Sequence, residues 1–465
     1  MSSQKLSRRD FLKSAAIGSV GLALAACAPV AQQQVAPAAQ DTSEDAAAPE
    51  APPAEVTTVR FMSRAGADNL PTYEEVLSTD FRELHPDIEV QVEPAPDGWT
   101  DKLLAQMVAG TAVDIFQAWG NIFFNWTERD LILDIQPFVD SNMSQEDIDD
   151  FNEFQWEGLE ILGIRAGLPK YINLMTVTIN KDIFDQYGIE YPPEDGEWDH
   201  IDYANMAAEL TKAARDDGNE NFWGAWYPAW AWDRFWYRVD MFGGSVVDEK
   251  YGTVCTLDSP ESQEALQWSW DRMWDENTFA QPSQVENQWF HNVMTPGFVG
   301  MAEAGTYPQN TDRALGDAFR WDMRHVPKGP TGLRKVLGTT DAWSITKQTK
   351  VPNEAWDVLN FLAGPIFQTK AVVGQEGIIP VRKSLISSFI EDVRRIRPSL
   401  EEVRLETITE ILDWGYAEDS FWFKNQNAAN EILVPALEKV YIVGDVGPEY
   451  FIEIAQQVNE AQQET

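Results

Sequence analysis

Residues 221–238, NFWGAWYPAWAWDRFWYR, carry nine aromatic side chains in eighteen positions, five of them tryptophan. Charged groups stand among and just after the rings: Asp233, Arg234, Arg238 and Asp240. That mixture suits a carbohydrate. A sugar shows flat patches of C–H between rims of hydroxyls, so an aromatic face covers the first while carboxylates and guanidiniums bond the second. The competing use of such a run is a core, because rings three or four apart usually face inward. Rings at 222–237 point in most directions around a helix, so roughly five are assigned to packing and one to three to a cleft. Trp232 and Trp236, which flank Asp233 ahead of MFGG, are the rings expected at the cleft, with Asp233 beside them.

Other reactive constellations are missing from the sequence. His85, His200, His291 and His325 are far apart and lack metal-ligand spacing. No GxSxG elbow, phosphate loop or GxGxxG after a strand occurs, and no cofactor is expected. Cys255, in YGTVCTLD, reads as a buried thiol on a strand. Carboxylate pairs stay open, since 75 acidic residues make them common and glycoside hydrolysis needs only two at the right separation. The formal net charge of −40 is unsuited to nucleic acid and reads as a solvated acidic surface.

These groups need a frame, and 465 residues exceed what one core usually accommodates, so two lobes are expected. The first 26 residues read as an export signal: SRRDFLK matches the twin-arginine pattern, and LAAC resembles a lipobox that would leave Cys27 lipidated. Residues 27–56 then form the lipidated cysteine and a tether of Ala, Pro, Gln and acid that cannot bury enough surface to fold. Beyond it, TVRFMS alternates as a strand. Tyr73, Val76, Leu77, Phe81 and Leu84 share a helical face, and IEVQVEP alternates again. A helix from Trp99 turns Leu103, Leu104 and Met107 inward, and AVDIFQAW is a more continuously apolar strand. Strand–helix alternation of this kind gives an α/β fold with a parallel sheet flanked by helices on both faces. GLPKYINLMTVTIN reads as one long strand, with Lys170 expected to be solvated. Ser259 caps a helix with Pro260 in its first turn, and Ala355, Trp356, Leu359 and Leu362 share the face of another.

This order resembles the family 1 extracellular solute-binding proteins, the maltose-binding-protein type, over about residues 57–463. The carrying segments are VRFMSR, FRELHPDIEVQVE, WTDKLLAQMVAGTAVDIFQAW, GLPKYINLMTVTINKDIFDQYGIEYPP, FGGSVVD, LDSPESQEALQW, FVGMAEAGTY, PKGPTG and EGIIPVRKS, in family order. The sequence departs from the pattern at Ala112-Val113, where proline is usual, and at Ile179, where tyrosine is common.

The resemblance implies a two-lobed periplasmic-binding-protein fold of type II, with ligand between the lobes. Lobe 1 would comprise 57–168 plus 329–385 and lobe 2 would comprise 175–325 plus 386–463. It also implies ligand contacts at Ser63 and Arg64 after the first strand, Trp119 and Asn121 after the third, and Asn173 on the crossing strand. Tyr307 stands where a stacking tryptophan is frequent, Trp422 lies in the C-terminal region of further stacking residues, and Asp341 replaces small residues but offers a carboxylate to a hydroxyl. The implied role is the lipid-anchored, extracytoplasmic binding subunit of an ABC importer for a neutral carbohydrate, expected to be an oligosaccharide. Its partners would be the sugar, the permease transmembrane subunits and, through Cys27, the membrane. A monomer without enzymatic activity is expected. A secreted carbohydrate-active enzyme and a non-transporting glycan-sensing or adhesion lipoprotein are the alternatives.

Overall fold

The computed structural model describes residues 56–285, 293–418 and 422–463. The expected signal, Cys27 and the tether as far as residue 55 lie outside the described residues.

Two sheets organise the body. The elements that build them are, in chain order, β1 (Thr57–Ser63), β2 (Ile88–Pro94), α1 (Trp99–Ala109), β3 (Ile115–Trp119), α2 (Gly120–Glu128), β4 (Leu168–Asn173), β5 (Met175–Asn180), β6 (Trp223–Trp226), α3 (Trp232–Met241), β7 (Val299–Gly305), α4 (Pro308–Leu315), β8 (Trp321–Arg324), β9 (Thr339–Ile345) and β10 (Ile379–Pro380). The first sheet runs β10-β4-β9-β3-β1-β2 and the second β8-β5-β7-β6. β1 pairs in parallel with both β2 and β3, as expected for strand–helix–strand units. β9 returns antiparallel between β3 and β4.

The apparent long strand at 167–180 is two strands in two sheets. It breaks at Leu174, the single residue between β4 and β5. There the Leu174 N–H donates to Thr306 Oγ1 at 3.0 Å and its carbonyl accepts from the Thr306 N–H at 2.9 Å. Those bonds satisfy the backbone where it leaves one ladder for the other.

Local readings hold where one face meets one core. Leu103 and Met107 are buried on α1, with Leu104 half-buried. Ser259 Oγ accepts from the Ser262 N–H to start the helix Pro260–Trp270. Ala355, Trp356, Leu359 and Leu362 are buried on Pro352–Leu362. Leu84 departs from its expected face: it is 59% exposed although Tyr73, Val76, Leu77 and Phe81 are buried. Residues Leu77–Phe81 form a π-helical turn, and its extra residue rotates the next turn, with Leu84, away from the core.

Lys170 is also corrected. It is 2% exposed and pairs with the equally enclosed Glu376 at 3.2 Å. The Tyr73 hydroxyl donates to the same carboxylate at 2.5 Å. An apolar strand draws this lysine inward because a buried acid waits for it, and a buried charge is tolerable only when so paired.

Most of the aromatic run is core. Phe222, Trp223, Trp226, Tyr227, Phe235, Trp236 and Tyr237 are buried, more than the rough five assigned from spacing. Two of them, Tyr227 and Tyr237, stand against the ion pair of Arg238 with Glu303 of β7, to which the Tyr237 hydroxyl also donates. Arg238 lies 4.4 Å from the Tyr227 ring and 4.9 Å from the Trp268 ring, so the rings form the walls of a buried charge site. Trp230 is half-buried, edge-on to Trp226.

Candidate ligand cleft

Several candidate residues meet because three strands end together. The carboxyl ends of β1 and β3 lie side by side, and β9 runs back between β3 and β4 so that Asp341 stands opposite both Trp119 and Tyr171. A register shift between Asp341 and Ala342 marks the place, a bulge that re-aims the side chain.

The Asp341 carboxylate is 2% exposed. Its Oδ1 accepts from Gln117 Nε2 at 2.8 Å, and its Oδ2 accepts from Arg64 Nη1 and from the Tyr171 hydroxyl, each at 3.0 Å. Gln117 Oε1 in turn accepts the Arg64 N–H at 3.1 Å, which fixes the loop after β1. Held in this way, the Arg64 guanidinium lies over the Trp119 indole, 3.8 Å from its centroid. Trp99 meets Trp119 edge-on at 5.5 Å. The result is a partly open cation on an aromatic floor whose charge is balanced from beneath.

Burial pushes the Tyr171 hydroxyl well above its usual range, and the Asp341 charge adds to that. Tyr307, hydrogen-bonded to Tyr171, is pushed up to about 12 by burial and then by Asp341. Both phenols therefore stay protonated at neutral pH, and the Tyr171 hydroxyl donates to Asp341. The positive charge of Arg234 on α3 opposes the rise at Tyr307.

Asn173 ends β4 beside Leu174. Its Oδ1 accepts from the Thr306 N–H at 3.1 Å. Gly305 faces it, and a Cβ on Gly305 would lie 2.7 Å from Asn173 Oδ1 and 2.8 Å from Tyr307 Cε2. Only glycine lets the amide and the ring approach so closely. Trp422 is half-buried, with its indole over Gly120 at the start of α2, where a Cβ would lie 3.0 Å from Cζ2. Arg64, Trp119, Asn173, Tyr307 and Asp341 thus converge, with Trp422 seated one residue past Trp119. Trp236 is buried with the core at 2% exposure. For Asn121, Trp232 and Asp233 the structure describes only backbone, in the first turns of α2 and α3, and their side chains lie outside the described residues.

Neither Gln117 nor Tyr171 is among the ligand contacts expected from sequence, where Tyr171 reads as bland beside Lys170, though each carries a signal. Gln117 is a polar residue inside the apolar run DIFQAW, and Tyr171 follows a lysine inside another. A polar side chain in a strand buried on both faces needs a buried partner.

Residues 66–369 match the family described as "Bacterial extracellular solute-binding protein". The chain belongs to that family. A putative binding protein of Brucella abortus (strain 2308) is 27% identical to this solute-binding protein over 330 residues, spanning 70% of this chain and 76% of the relative. An erythritol/L-threitol-binding protein of Mycolicibacterium smegmatis is 25% identical over 66% of each. Among solved structures, an ABC substrate-binding protein of Listeria monocytogenes in complex with cycloalternan aligns with a TM-score of 0.75 at 20% identity, over 88% of this chain and all (100%) of that one. Maltose-bound MalE3 of T. maritima aligns with a TM-score of 0.68 at 17% identity, over 88% and 99%. These likenesses establish the two-lobed fold for this solute-binding protein. Among its described residues, no helix is long and apolar enough to cross a membrane.

Proposed function

We propose that this chain is the binding subunit of an ABC importer and captures a neutral carbohydrate, an oligosaccharide, between its lobes. One observation carries the reading: Arg64 lies on Trp119 with its charge matched by Asp341, beside Tyr171 and Tyr307. Such a surface offers apolar faces to C–H patches and neutral or compensated donors to hydroxyls. A ligand anion on Arg64 would sit close to the Asp341 carboxylate, so compensation favours an uncharged solute over a phosphorylated one. Cleft residues come from both sheets, and a ligand that touches both stabilises closure by its differential affinity for the closed state. Three of the named ligands of similar proteins, cycloalternan, maltose and erythritol, are polyhydroxylated and neutral, while another similar protein is named with glycerophosphocholine. On this reading residues 57–168 with 329–385 and 175–325 with 386–463 move as the two lobes, and Cys27 carries the lipid that keeps the body near its permease.

The test is thermal unfolding of the mature protein against mono-, di- and oligosaccharides, polyols and phosphorylated glycerols. A ligand at a hundred times its dissociation constant should stabilise by about 2.7 kcal/mol. A saturable shift with a neutral glycan, and no product on incubation, supports the proposal. Product formation would replace it with an enzyme, and a response confined to phosphorylated compounds would overturn the neutral class.

A further inference from the structure

Helix α2 leaves the cleft floor directly after Trp119, and one of its faces is covered by the other lobe. The covering parts are the tip of a hairpin closed by the Val247–Cys255 bridge and the segment from Trp422 to Asn427. The hairpin is anchored on the second-lobe side: the Cys255 N–H donates to Asn459 Oδ1 at 2.6 Å, and Phe451 of that same helix, Tyr450–Gln463, packs on Phe235 of α3.

Among the described residues, contacts cross to α2 at Gly120, Phe124 and Asn125. The Trp422 indole rests on Gly120. The Tyr251 ring stacks on Phe124, with centroids 4.3 Å apart and planes at 17°. Asn125 Nδ2 donates to Asn427 Oδ1 at 3.3 Å. Gly120 and Phe124 are one turn apart and share a face, so the indole and the phenol dock side by side along it.

Tyr251 reaches that position in an unusual way. Its φ is +61°, a left-handed conformation that a bulky side chain rarely adopts. Its N–H donates to the Trp422 carbonyl at 2.6 Å, and the Lys424 N–H donates to the Gly252 carbonyl at 2.9 Å. Hairpin tip and Trp422 segment are therefore one unit, and the strained residue sits where that unit meets the other lobe.

We propose that Phe124 and Tyr251 are positioning residues for the ligand site, forming a cross-cleft latch that seats Trp422 beside Trp119 when the lobes close. The assignment of Trp422 to the ligand wall rests on the function proposed above; the latch itself rests on the contacts just described. Its contribution to closure involves no ligand atom. It raises the fraction of molecules already competent to bind, and apparent affinity scales with that fraction.

The experiment compares the mature protein with Phe124→Ala, Tyr251→Leu, the double variant, Tyr251→Phe and Gly120→Ala. Two quantities are read well below the unfolding temperature: the ligand-free radius of gyration by small-angle X-ray scattering, and affinity for whichever glycan the panel identifies. Phe124→Ala and Tyr251→Leu should each raise the ligand-free radius and weaken binding by about two- to tenfold, the scale of one aromatic pair. The double variant should be no worse than either single, because the two rings share one contact. Tyr251→Phe keeps the ring and should lie closer to the parent than Tyr251→Leu in both quantities. Gly120→Ala adds a Cβ against Trp422, removes no ring, and should open the protein in the same direction. A role confined to folding would lower the melting temperature and leave radius and affinity alone, which overturns the proposal. Should no glycan bind the parent, the carbohydrate reading fails while the radius still decides the latch.

Discussion

Replacing Asp341 by asparagine isolates the charge beneath Arg64. The carboxylate is buried and accepts from Arg64, Gln117 and Tyr171. Asparagine keeps the size and one oxygen for Gln117, and the Tyr171 hydroxyl can rotate. What is lost is the charge-assisted bond to Arg64, because the new amide turns N–H groups toward a donor. A bond to a charged group contributes about 1.5–3 kcal/mol net. The Arg64 side chain is 25% exposed and can recover some hydration, so the lower end, about 1.5 kcal/mol, is expected in the ligand-free protein. Binding should suffer as well, because Arg64 is no longer held over Trp119, and about 1.4 kcal/mol corresponds to tenfold in affinity. Asp341→Ala abandons all the donors and should cost about 3–5 kcal/mol, the range for stripping one partner from a buried pair. Urea unfolding gives the first quantity and calorimetric titration with the identified glycan the second. Asp341→Asn with stability within about 0.5 kcal/mol of the parent and unchanged affinity would refute the claim that this carboxylate holds Arg64 in place.

Acid sensitivity should trace partly to His325, which burial pushes down to about 4 from 6.5 against the opposing pull of Glu410. The unfolded chain then binds more protons between these values, so stability is full above pH 6.5 and falls by about 3 kcal/mol as pH drops toward 4. His325→Gln should flatten that part of a urea-midpoint profile, and an unchanged profile would sink the assignment. Gly305→Ala should cost about 1–3 kcal/mol by overpacking and weaken ligand binding by displacing Asn173 and Tyr307. Gly66→Ala, with nothing within 4 Å, is the neutral control for the same measurements. Glu376→Ala strands the buried Lys170 and should cost about 3–5 kcal/mol in denaturant unfolding, whereas Asp216→Ala breaks the exposed pair with Lys212 for about 0.5 kcal/mol or less. Equal effects at the two sites would contradict the burial argument.

Legibility in the sequence followed range. Helix faces on Trp99–Ala109 and Pro352–Leu362, the Ser259 cap and the parallel start of the first sheet depend on neighbours a few residues away, and periodicity reports them. The break at Leu174 was hidden because both halves are apolar, and only the partner strands distinguish them. Lys170 read as solvated because its partner Glu376 lies 206 positions on. Likewise Arg64 and Asp341 are 277 apart, and nothing local at either end announces the other. The resemblance to a known family supplied Arg64, Trp119, Asn173, Tyr307 and Asp341 as candidates; it did not supply Gln117 and Tyr171, which bind no neighbour in sequence and are explained by the carboxylate they share. The aromatic run is ambiguous in sequence, since rings walling a buried ion pair look like rings awaiting a sugar, and Trp236 is found with the core.

The place of β9 in the first sheet also sets a timetable. β3 and β4 are complete by residue 173, yet the strand that joins them spans 339–345. During synthesis at about 5–20 residues per second, both strands wait on the order of tens of seconds with unpaired edges. Every chain truncated before residue 339 keeps those edges open, and an open apolar edge is a template for pairing with another molecule. Nascent chains of this protein therefore need shielding until about three quarters of their length has emerged, and fragments ending inside the intervening segment should aggregate rather than fold.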